Sequence, residues 1–128
     1  MRVFFCLWLA VVSFNTYAQA WKYITTSSSG INYSIDTISI KANNVLRDFV
    51  QLSNHPNGYK YEGKLVYSVK TFRTVNCENN MYKSNYLIAY SKIDGLGEII
   101  LIDKNLDKEW VTVSPDSVSS KIQQAVCK

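Results

Sequence analysis

The sequence holds one histidine, two prolines and five glycines, and each shortage removes a class of protein. A lone imidazole, His55, cannot build a zinc site, and no C-x-x-C or H-x-x-x-H spacing accompanies it. A Ser/His/Asp set would have to form around that one ring, which precedes a proline in a polar stretch and reads as a surface loop residue. No glycine-rich phosphate loop is present. The only acidic cluster, Asp103, Asp107 and Glu109, falls in a polar linker and reads as solvated charge. Beyond residue 20 no apolar run is long enough to span a bilayer. A formal net charge of +4 suits anionic partners but is too weak to imply nucleic acid. The expectation is therefore a non-enzymatic protein with no catalytic residue, metal or cofactor.

The chain opens with a signal for export. Arg2 gives a positive start, residues 3–14 are almost unbroken apolar, and Ala18-Gln19-Ala20 is an A-x-A cleavage site. Residues 1–20 are read as a secretory signal peptide, leaving residues 21–128 as one domain. Cys6 sits inside the apolar run instead of at the cleavage point, so no lipid anchor is expected. The mature chain then resides in the periplasm, at the cell surface or outside the cell. All three are oxidising, and the two remaining cysteines, Cys77 and Cys127, are expected to form one disulfide.

Period-2 alternation dominates the rest. Residues 21–24 suggest a first strand. Ile31, Tyr33 and Ile35 alternate, as do Ile38, Ile40 and Ala42, but the parity changes across Asp36-Thr37, which predicts a bulge or corner. Asn43-Asn44 marks a turn into a strand at 45–52. Residues 53–63, headed by His55-Pro56-Asn57-Gly58, read as the longest loop. In the strand at 65–77 the inward parity ends on Cys77, with Phe72 as the exception. Tyr82, Tyr86, Ile88 and Tyr90 share a parity in the next strand, and a turn at Asp94-Gly95-Leu96-Gly97 leads to a strand at 98–102. A short strand at 110–113 follows. The final amphipathic run, 117–126, reads as a helix with Ser114 as its cap, Pro115 in its first turn and Val118, Ile122, Ala125 and Val126 on its apolar stripe. On an ideal helix Cys127 falls off that stripe, so the helix must end by Val126 for the disulfide to close.

One surface segment interleaves aromatic and basic residues: Tyr59, Lys60, Tyr61 and Lys64. Stiff amphipathic tyrosines beside lysines suit a protein partner or an acidic glycan, and these four are the candidate partner-binding residues.

The motifs then fall into a known order. Trp21, the run from Tyr33 to Lys41, Val75-Asn76-Cys77, the run from Trp110 to Ser117, and Ala125-Val126-Cys127 together resemble the bacterial surface-adhesin protein E family over residues 21–128. Asn76 and Asp116 stand where that family more often has an acidic residue and a glycine. The resemblance implies an α+β fold: a single antiparallel sheet of about six strands, with a C-terminal helix packed on its concave face and tethered by the disulfide. It also implies a binding module for host extracellular-matrix or plasma proteins. The alternatives are a periplasmic envelope or accessory protein with a bacterial partner, and a small-ligand (haem) binding protein using His55 and nearby tyrosines.

Overall fold

The longest alternating stretches of the sequence form the middle of one antiparallel sheet. The computed structural model describes residues 20–128. The expected signal peptide, with Cys6, lies outside the described residues except for Ala20. The strands are β1 (Trp21–Thr26), β2 (Asn32–Asp36), β3 (Lys41–Asn43), β4 (Leu46–Tyr61), β5 (Lys64–Asn76), β6 (Met81–Tyr90), β7 (Ile99–Asp103) and β8 (Val111–Thr112), followed by the helix α1 (Val118–Val126). Six of them run in the order β1-β2-β4-β5-β6-β7, while β3 adds to β4 and β8 to β6, so the sheet has eight strands instead of about six. The extra two, β3 and β8, are short strands that fall at the alternation of residues 38–42 and in the stretch 110–113, so the count of about six came from the family resemblance and not from the pattern.

Side-chain alternation puts Ile35, Phe49, Val75 and Tyr82 on the face that receives α1. Ile122 and Val126, four residues apart and so on one side of the helix, are buried against Ile35, Phe49 and Val75. A helix this short does not persist alone in water, since about 12–15 residues are needed even for good helix formers. Tertiary packing must hold it, aided by the Cys77–Cys127 disulfide, whose Cα atoms are 5.7 Å apart. Arg73 reaches into the same interface: Nε donates to Ser84 Oγ at 3.1 Å and Nη1 to Gln51 Oε1 at 2.8 Å, beside the Tyr82 ring. A second cluster, Val66, Val69 and Ala89, ties the far end of β5 to β6 and β7.

Several sequence expectations are corrected by backbone detail. The helix begins at Val118 because Asp116 takes a left-handed φ of 59°. Its cap is Ser117, which accepts from the Ser120 N–H at 3.1 Å and donates to the Ser114 carbonyl, so Ser114 is not the cap. Cys127 closes the last turn, as the off-stripe position required. The corner after Asp36 exists, held by the Ile38 N–H donating to Asp36 Oδ1 at 3.1 Å, but Ile38 and Ile40 lie outside any strand and only residues 41–43 pair. The stretch 53–63 is no loop. It belongs mostly to β4, with four residues, His55 to Gly58, bulged opposite the single residue Tyr67. A wide bulge tolerates Pro56, which has no N–H to give, and the positive φ of Gly58. In β6, Asn85 is also an extra residue, so the expected tyrosine parity breaks. Tyr82 faces α1, whereas Tyr86, Ile88 and Tyr90 face the other way.

Candidate binding surface

Past the β4 bulge, the β4 and β5 strands continue as a two-stranded arm. Tyr59 pairs with Val66, Lys60 with Leu65 and Tyr61 with Lys64, and Glu62 and Gly63 close the turn with φ of 48° and 80°. Two successive positive-φ residues are what a tight hairpin with the native strand twist demands. The arm therefore collects all four candidate residues. Alternation puts Tyr59, Tyr61 and Lys64 on one side and Lys60 on the other. Tyr59 and Tyr61 are 40% and 36% exposed, high for rings of this size.

His55, at the base of the arm, lies edge-on to Tyr59 with ring centroids 4.9 Å apart, and its Nε2 is 3.5 Å from Ser53 Oγ. Partial burial lowers its pKa below the ordinary imidazole value and raises that of Tyr59. A neutral imidazole at pH 7 packs against a phenol without adding charge. Among the described residues no group of three or more His, Cys, Asp or Glu side chains lies close enough together to hold a metal ion.

The sheet face opposite α1 carries a second aromatic and cationic arrangement that the sequence reading did not single out. The Lys70 ammonium lies 5.7 Å from the Trp21 ring and 5.2 Å from the Tyr90 ring. Burial lowers the Lys70 pKa, and the nearby Asp36 carboxylate opposes that shift. Beside them, Phe72 and Tyr86 stack at 4.1 Å with planes 12° apart. Phe72 was the parity exception in its strand, and that was the one available signal. The β6 bulge that brings Tyr86 to the same face leaves no trace in the pattern.

A sheet with one disulfide-pinned helix, an exposed tyrosine–lysine arm and a half-covered aromatic face defines a small binding domain. The chain belongs to the surface-adhesin protein E family, whose model matches residues 21–128. The fold is that of Haemophilus influenzae protein E. Crystal form II of that protein is 24% identical, covering 82% of this chain and 86% of that chain, with a TM-score of 0.67. Its selenomethionine form is 23% identical, covering 86% and 92%, with a TM-score of 0.66. No curated protein matches the sequence. Membership makes this a protein of the surface-adhesin class, exported or at the cell surface, and no helix among the described residues is long and apolar enough to cross a membrane.

Proposed function

We propose that residues 1–20 are removed on export and that the remaining domain is a non-enzymatic binding module for host extracellular-matrix or plasma proteins, engaged through the β4–β5 arm. The observation that carries this reading is the arm itself. It projects two half-exposed tyrosines and two lysines on a ribbon that pairs only with itself beyond the bulge. Tyrosine supplies broad contact area with few rotatable bonds, and such residues dominate interface energetics.

The test is solid-phase binding of the purified, disulfide-bonded protein to immobilised matrix and plasma proteins. Saturable binding is expected, weakened about tenfold or more by Tyr59→Ala/Tyr61→Ala, in line with a central aromatic anchor. No saturable binding to any of them overturns the reading. Protease treatment of intact cells separates the two locations. Digestion places the domain at the surface, whereas protection places it in the periplasm with a bacterial partner.

A further inference from the structure

We propose that the sheet face opposite α1 is a binding site for an acidic oligosaccharide, held in a trough between β3, the bulged middle of β6 and the linker 104–110. The trough consists of two hollows, about 330 Å³ and about 500 Å³, that share Asn85 and Tyr86 as a common wall. Each is within the size range of small-molecule sites, about 300–1,000 Å³.

The two hollows differ in chemistry. The smaller has a floor of Val50 and Phe72, with Phe49 and Arg73 of the adjoining positions also lining it, and a polar rim of Ser39, Lys41, Asp48 and Asn85. The Thr74 hydroxyl donates to Asp48 Oδ1 at 2.6 Å and accepts from Asn85 Nδ2 at 3.1 Å, which fixes both side chains. A carboxylate has two oxygens and about four lone-pair sites, so Asp48 retains acceptor capacity for a hydroxyl. Ser39 Oγ is buried and has no hydrogen-bond partner among the described residues. Leaving such a group unpaired costs free energy, and it marks this edge of the hollow as imperfectly satisfied. The larger hollow is walled by Tyr86, Ile88 and the half-exposed Ile102, with Lys104 and Lys108 supplied by the linker. Lys83, opposite Thr74 in the β5–β6 pairing, holds its ammonium 4.9 Å from the ring of Trp110, the last residue of the same linker.

A sugar ring presents hydroxyls at its edge and C–H groups on its faces, and it matches this sequence of groups. Carboxylate, amide and hydroxyl meet the ring hydroxyls in the first hollow. The Tyr86 ring, fixed by its stack on Phe72, offers an aromatic surface at the junction. Sulfate or uronate groups on the next sugar meet Lys104 and Lys108. An acidic peptide fits less well, because its apolar anchors would take the Asp48 carboxylate out of water with only the Thr74 hydroxyl bonded to it. The trough lies on the sheet away from the arm, so this site does not depend on the proposed host-protein contact.

The experiment is calorimetric titration of the disulfide-bonded protein with a heparin-derived octasaccharide and, at matched charge, with poly-L-glutamate. Saturable binding of the octasaccharide is expected, with poly-L-glutamate at least tenfold weaker. Lys104→Gln/Lys108→Gln and Tyr86→Ala are each expected to weaken the octasaccharide tenfold or more, while Lys121→Gln/Lys128→Gln, an equal charge change outside the trough, leaves it unchanged. Truncating Tyr86 also removes its stack on Phe72, so the exposed lysine pair carries the test if that variant unfolds. No octasaccharide binding, equal binding of poly-L-glutamate, or equal loss in the two lysine pairs would overturn the proposal.

Discussion

Replacing Cys77 and Cys127 together by alanine tests the physical basis of the fold most directly. The bond closes a loop with a sequence separation of 50. On the chain-entropy account, a loop of that size removes enough freedom from the unfolded chain to stabilise the native state by about 4 kcal/mol. Small domains have a net stability of only about 5–15 kcal/mol, so the loss is a large fraction of the total. At roughly 4 °C per kcal/mol for a domain of this size, the midpoint of thermal unfolding should fall by about 15 °C. Urea unfolding followed by circular dichroism should show the same loss, together with a steeper dependence on denaturant, because an uncrosslinked unfolded chain exposes more surface. Native-state spectra should change little, since Ile122 and Val126 still dock on Ile35, Phe49 and Val75. A variant that loses less than about 1 kcal/mol, with an unchanged urea slope, would refute the entropic argument.

Four further outcomes follow from single positions. Ile122→Ala, at a residue 2% exposed, should cost about 2–5 kcal/mol in urea unfolding, by the transfer and cavity terms together. Ser117→Ala removes the acceptor of the Ser120 N–H and should cost about 1 kcal/mol in the same assay, with a Ser117→Asp variant restoring it. Gly58→Ala places a Cβ 3.0 Å from the Tyr67 ring at a φ of +66°, so it should cost about 1–2 kcal/mol, with NMR shift changes confined to the arm and its base. For His55, burial depresses the folded-state pKa, so the unfolded chain takes up the proton first as pH falls. Its contribution to stability is then present above the ordinary imidazole value of 6.5 and is lost as pH drops through the folded pKa; an NMR titration midpoint above 6.5 would contradict this.

The parts of the fold that were legible in the sequence are those set by local period. The extent read at 65–77 matches β5, although its near end departs from the expected parity, with Leu65 exposed and Val66 buried, and the four-residue spacing of Ile122 and Val126 marks the buried side of α1. Cys77 and Cys127 could be paired because they are the only cysteines after the expected signal peptide. Legibility fails wherever a bulge intervenes. Pro56 and Asn57-Gly58 read as breakers, yet pairing resumes at Tyr59 because the four-residue bulge absorbs them and leaves the strand direction to the next pair. Asn85 gives no sign that it shifts the register of β6, so the face that Tyr86 joins was invisible. The tyrosine–lysine arm was found by composition alone, although it was expected in a loop. The trough was not found, because Ser39, Asp48, Asn85 and Lys104 come from four distant stretches and each looks ordinary in its own.

Synthesis proceeds from the amino end, and this gives the order of the elements a further meaning. All the strands among the described residues are made before α1, so Ile35, Phe49 and Val75 lack its cover, and Cys77 lacks Cys127, until residues 118–127 emerge. A nascent or truncated chain ending before α1 would present an oily sheet surface with a reactive sulfur at its margin. The last turns of helix thus carry both the cover for that surface and the partner for that sulfur.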